Sequence, residues 1–179
     1  NRIRGERSNT MSNLLVQNIK HTNNTTAMSV DTSGRINISN VPRVSCHHST
    51  NGNLNTTTGE SFFQTSVTFR HQTGITYSDD TNGRFTVPIA GTYYVHFKTI
   101  IYDRTVNYQI RKNDAEVTAG YVAGAGKGWN WLDMSVLDAA SASDYYTVIV
   151  ESQSGGSGGH YTGHGGTGHN SFDIVYVGG

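Results

Sequence analysis

The chain has 179 residues, room for one domain with a short appendage. Its 13 basic and 13 acidic residues cancel, and only 15% of the chain is charged, so no net field recruits nucleic acid or an anionic membrane. The single cysteine, Cys46, excludes an intramolecular disulfide and a cysteine-built zinc site, and no window carries the roughly 18 apolar residues of a membrane helix.

Helical periodicity is nearly absent, so strands are expected throughout. Residues 1–10 (NRIRGERSNT) precede Met11 and are expected to be an extension without a function of its own; no basic segment followed by an apolar run reads as an export signal. Asn13 to Ile19, Ala27 to Val30 and Arg35 to Ser39 read as short ribbons, with a turn at Asp31 to Gly34. Ribbons this short bury no core alone. Three chains together supply one if Leu15, Ile19, Met28, Val30, Ile36 and Ile38 face a shared axis, which makes residues 1–41 an anchor arm.

From Pro42 onward, strand signals recur at the short spacing of a two-sheet sandwich. Val44 to His48 comes first, followed by Ser61 to Arg70, with Phe63, Val67 and Phe69 on one face, and Gly74 to Ser78. Arg84 to Ile89 leads to Thr92 to Tyr102, aromatic and β-branched throughout and expected to be buried on both faces. Val106 to Lys112 opens a hairpin through Asn113-Asp114. Trp129 to Leu137, a small-residue bend at Asp138 to Asp144, Tyr145 to Glu151 and Ser171 to Val177 complete the set. The expected head domain is residues 42–179, an all-β sandwich of roughly eight to ten strands.

The run Gly83 to Ile101 (GRFTVPIAGTYYVHFKTII) resembles the signature of the complement C-one-q globular head, a Gly-x-Phe-x-x-Pro-x-x-Gly-x-Tyr stretch, through Gly83, Phe85, Pro88, Gly91 and Tyr93, with Phe97 further on. Tyr108 to Asp114 is similar to that family's Lys-Asn-Gly hairpin, with Asp114 in place of the glycine, and Ser143 stands where the family usually has another. The closing SFDIVYVG keeps only Phe172 of the family's terminal strand. The resemblance implies a jelly roll of the complement C-one-q and tumour-necrosis-factor type, non-enzymatic and homotrimeric, with Tyr93, Phe97, Tyr145 and Val148 as candidates for the trimer axis. A chain with 35% hydrophobic residues also looks too poor in aliphatics to seal an interior by itself.

Residues 14–39 add a second resemblance, to ribbons that precede the heads of bacteriophage tail-fibre and particle-surface proteins. Thr26-Ala27, Val30-Asp31 and Ser33-Gly34-Arg35-Ile36 carry it. It implies display on a virion, with Leu15, Ile19, Val30 and Ile36 in the arm meeting other virion proteins. A secreted complement-like ligand of a cellular organism is the alternative.

The glycine-rich run GGHYTGHGGTGH holds His160, Tyr161, His164 and His169. Imidazoles ligate zinc or nickel, and three chains meeting at a tip pool them, but a glycine loop imposes no preorganised geometry and brings no supporting carboxylate. The expectation is no cofactor and no metal, with these residues touching a host glycan or protein. His47 and His48 beside Cys46 point to alternate faces of a strand and are expected to be solvated, with Cys46 buried. Trp129 and Trp131 share a face, so at least one is expected in the core or a trimer interface. No convergent acid, base or nucleophile is apparent, and Asp133, Asp138, Asp144 and Glu151 are scattered.

Overall fold

The computed structural model describes residues 18–20, 26–38, 40–49, 52–54, 57–79, 82–123, 128–155, 163–165 and 168–179. The chain divides into two compact units, residues 1–40 and 41–179. In the first, β1 (Asn18–Lys20), β2 (Thr26–Val30) and β3 (Ile36–Asn37) form an antiparallel ribbon. Its turn explains the Asp-x-Ser-Gly-Arg pattern. Asp31 Oδ1 accepts the Ser33 and Arg35 amides at 2.8 and 3.0 Å, Oδ2 meets the Arg35 guanidinium at 2.7 Å, and Gly34 takes φ +79°. Ile19, Ile36 and Ile38 are exposed within the single ribbon and Val30 is half-buried, while Leu15 lies outside the described residues.

The second unit holds β4 (Arg43–His48), β5 (Gly52–Leu54), β6 (Val67–Thr73), β7 (Thr76–Ser78), β8 (Arg84–Thr86), β9 (Gly91–Tyr102), β10 (Thr105–Lys112), β11 (Ala115–Ala123), β12 (Trp129–Ala140), β13 (Tyr145–Ser154), β14 (Gly163–Gly165) and β15 (Ser171–Gly178). They pair antiparallel into two five-stranded sheets, ordered β11-β10-β13-β8-β7 and β12-β9-β15-β4-β6, while β5 and β14 pair separately. The chain passes repeatedly from one sheet to the other, and both inner faces supply the core.

That core is aromatic. Phe62 lies edge-on to Phe63, Phe97 and Tyr108 at centroid distances of 4.9, 5.1 and 5.8 Å, and Phe63 stacks on Phe172 at 5.7 Å. Phe62, Phe63, Phe85, Phe97, Tyr108, Tyr146 and Phe172 are all fully buried within one subunit. The expectation that a single copy is too aliphatic-poor to close its interior is therefore overturned, because rings cover more area per residue than aliphatic chains do. Three of the four proposed axis residues fall with it. Tyr93, Phe97 and Val148 have no exposed surface and belong to the chain's own core.

Other departures have local causes. Ser61 to Arg70 is not one strand: residues 59–62 pair with β13 through Gly59 N to Val150 O and Phe62 N to Val148 O, both 2.8 Å, and β6 begins only after Ser66 turns at φ +54°. This detour carries Phe62 and Phe63 inside. Strand β9 is buried along one face, through Tyr93, Val95, Phe97, Thr99 and Ile101, whereas on the other face Ile100 is buried, His96 and Lys98 are half-buried and Tyr94 is exposed. His47 and His48 are buried rather than solvated; His48 stacks on Phe63 at 5.2 Å and donates through Nε2 to the Phe62 carbonyl. Cys46 is buried as expected, and burial pushes its thiol far above the usual range.

The glycine signals have physical grounds. Gly91, at φ +148°, leaves no room for a Cβ, which would stand 2.4 Å from Cε2 of Tyr176. The two places where the resemblance lacks its glycines still turn left-handed: Asn113 and Asp114 at φ +49° and +66°, and Ser143 at φ +74°. At Asn113 and Asp114, two adjacent positive φ values are what a type I′ two-residue hairpin turn requires.

Candidate interaction surface

Along β12 the buried and exposed positions alternate, sending Leu132, Met134 and Val136 inward and Trp129, Trp131, Asp133, Ser135 and Leu137 outward. In β15 the inward set is Phe172, Ile174 and Tyr176, leaving Asp173, Val175 and Val177 outward. Register brings these positions into rows across the sheet. Leu137 lies opposite Tyr94, which lies opposite Val175. One row on, Ser135 faces His96, His96 faces Asp173, and Asp173 faces Ser45. Farther along, Trp131 is opposite Ile100 and Trp129 opposite Tyr102.

The outward face of a solvated antiparallel sheet is normally polar. Here Leu137 is 64% exposed, Val177 60%, Trp131 60%, Tyr94 39% and Val175 38%, a set of large apolar groups on one face. Both tryptophans are on it, so neither is a core residue.

A charged cluster interrupts the apolar groups. His96 Nε2 lies 2.9 Å from Asp133 and Nδ1 lies 3.2 Å from Asp173, and the imidazole is parallel to the Tyr94 ring at 6.1 Å. The Asp173 carboxylate raises the His96 pKa; partial burial works against this and Asp133 reinforces it. Burial would lift Asp173, but hydrogen bonds from His96, Ser45 and Ser171 outweigh it and leave this carboxyl below the ordinary value.

The ends of the sandwich differ. At the end where residue 41 enters, side chains lock the connections: Tyr145 donates to Asp114 at 2.7 Å, Asn113 donates to Asp144 at 2.7 Å, and Arg84 lies 4.3 Å above the Tyr145 ring. Tyr145, the fourth proposed axis residue, is thus half-buried under the chain's own arginine. Asp138 receives Lys112 and the Tyr146 hydroxyl, both at 2.8 Å, and Glu151 pairs with Arg111. The acidic residues therefore serve separate structural contacts, except Asp133, which meets Asp173 through His96. At the opposite end β5 and β14 pair, and His169 stacks on Trp131 at 6.3 Å. His160, Tyr161 and the His164 side chain lie outside the described residues, and among the described residues no group of His, Cys, Asp or Glu is placed to hold a metal ion.

No family model and no curated protein matches the sequence. Among solved structures, an Eiger TNF from S. frugiperda aligns with a TM-score of 0.56 at 12% identity, covering 77% of this chain and 93% of that one. The globular domain of a zebrafish complement 1qA protein aligns with a TM-score of 0.54 at 12% identity, covering 76% and 97%. The chain has the tumour-necrosis-factor and complement C-one-q jelly-roll fold. Within this jelly roll, the sequence points to the outward face of β12-β9-β15-β4-β6 only through Trp129 and Trp131, and Tyr94, Leu137, Val175 and Val177 are missing from the sequence-based candidates. Its signal was present: in Ile174-Val175-Tyr176-Val177 both parities are apolar, which a strand with one wet face does not need.

Proposed function

We propose that the chain is a non-enzymatic recognition or display module that assembles as a homotrimer through the outward face of β12-β9-β15-β4-β6. The carrying observation is the row Leu137, Tyr94 and Val175 with Val177 beside it, apolar surface on a sheet face whose neighbours inside the subunit are already satisfied. Closed cyclic assembly removes such a patch from water without leaving it open to filament growth. The kinship of fold with tumour-necrosis-factor and complement proteins supports a ligand-type role.

The setting we propose is the surface of a bacteriophage particle, as a tail-fibre head or a capsid decoration, with the ribbon arm meeting other virion proteins and the glycine- and histidine-rich end facing a host glycan or protein. The Thr-Ala-x-x-Val-Asp-x-Ser-Gly-Arg-Ile ribbon motif supports it over a secreted ligand of a cellular organism. Sedimentation of the full chain should give three copies per particle, and Leu137→Asp should yield folded monomers; a monomeric parent chain at micromolar concentration would refute the assembly. Immunogold labelling should find the protein on purified particles, and label confined to a secreted soluble fraction would favour the alternative.

A further inference from the structure

A surface built to be covered gains from apolar groups, yet the middle of this one holds an imidazole between two carboxylates. His96 sits within β9, with Asp133 on β12 at 2.9 Å and Asp173 on β15 at 3.2 Å. Each carboxylate oxygen accepts, and a neutral imidazole has a single N–H to offer. Both contacts are therefore satisfied only in the imidazolium, and loss of the proton turns a lone pair toward one of the carboxylates.

The charges around the ring are few. Strand β12 contributes Asp133, and β15 contributes Asp173, which also receives the Ser171 hydroxyl at 3.0 Å. Strand β9 itself contributes Lys98, directly across from Asp133, and the Tyr94 ring. Beyond β15, β4 presents uncharged Ser45, and farther out Arg43 and His71 bond to one another. With His96 protonated, the inner group of Asp133, Asp173, Lys98 and His96 sums to zero; without the proton it carries one uncompensated negative charge. On an open surface, water and salt screen that difference. Beneath another subunit they do not, and an unpaired buried charge is costly.

We propose that His96, held between Asp133 and Asp173, is a proton-operated latch on assembly: copies associate with the imidazolium in place and separate as it is lost. The inference rests on the reading that a second copy covers this face. The carboxylates already hold the His96 pKa above its ordinary value, so the latch is closed below the usual histidine range, about pH 6.5, and opens as pH rises through the raised value. Proton linkage limits the effect to about tenfold in dissociation constant per pH unit per subunit, or about a thousandfold for three.

The test is sedimentation equilibrium of the full chain at fixed salt between about pH 5.5 and about pH 9, with a constant low urea concentration if association is too tight to measure. The dissociation constant should be flat at the acid end and rise with a slope above one per unit at the alkaline end. His96→Gln keeps an N–H for one carboxylate but cannot titrate, and should flatten the profile. Asp133→Asn, at a side chain 71% exposed, removes one carboxylate charge from beside the imidazolium and should shift the rise to lower pH even if the glutamine variant fails to fold. A parent chain that trimerises with a pH-independent constant, or a folded glutamine variant that retains the slope, would overturn the latch alone. A chain monomeric at every pH would overturn both the latch and the proposed assembly.

Discussion

Removing one ring from the aromatic core tests whether a single subunit closes its own interior. In Phe62→Ala the lost ring has no exposed surface and four ring partners: Phe63 at 4.9 Å, His48 at 5.0 Å, Phe97 at 5.1 Å and Tyr108 at 5.8 Å. Truncating a phenylalanine in a closed core costs about 3–5 kcal/mol in transfer and cavity terms. The edge-to-face pairs are worth about 0.5–1.5 kcal/mol each beyond area, which places this site at the upper end of that range. Against a total stability of about 5–15 kcal/mol the variant should still fold, with its melting midpoint lowered by roughly 10–20 °C. Urea unfolding followed by far-ultraviolet circular dichroism, at fixed protein concentration, measures it; the exposed tryptophans are poor reporters of this core. The urea dependence should keep its slope while its midpoint falls, and Phe62→Leu should recover part of the loss. A cost below about 1.5 kcal/mol would refute the reasoning, since it would mean that the ring is not enclosed by one subunit.

Burial lowers the pKa of His48, so this histidine folds neutral while the unfolded chain takes up a proton below about pH 6.5. Its contribution is intact above that pH and is lost as pH falls toward the depressed native value, at up to about 1.4 kcal/mol per unit; stability measured from about pH 7.5 to about pH 5 should decline, and less steeply in His48→Gln. Gly83→Ala should cost at least about 2 kcal/mol by thermal melting, because the residue has φ +52° and the new Cβ would lie 2.6 Å from the Phe63 carbonyl oxygen, which is backbone and cannot step aside. Leu137→Asp should change the melting of the isolated subunit by no more than about 0.5 kcal/mol, since the leucine is 64% exposed, while changing its sedimentation; a large loss of subunit stability would place Leu137 in the core instead.

The two-sheet sandwich is legible in the sequence because antiparallel strands have a period of two and Gly91, Pro88 and the Asn113-Asp114 turn punctuate them. Burial on a particular face is less so. Tyr93, Phe97 and Val148 look equally suited to a core or a trimer axis, since hydrophobicity alone carries no information on which copy supplies the covering atoms. The Phe62-Phe63 pair reads as strand but reaches the core through an irregular segment set by Ser66 and by pairing with β13, a contact about 90 residues away in the chain. His96, Asp133 and Asp173 are separated by 37 and 77 residues from one another through His96, so only register brings them together.

Asn113, Asp114 and Ser143 show that these turns demand a backbone path and not a particular amino acid. A recognition pattern keyed to glycine counts Asp114 and Ser143 as mismatches although the main chain follows the same route. Residues of this sort lower a sequence match while leaving the turn in place. The two solved structures align with this chain over 93% and 97% of their own lengths at 12% identity, a likeness carried by the trace and not by the letters.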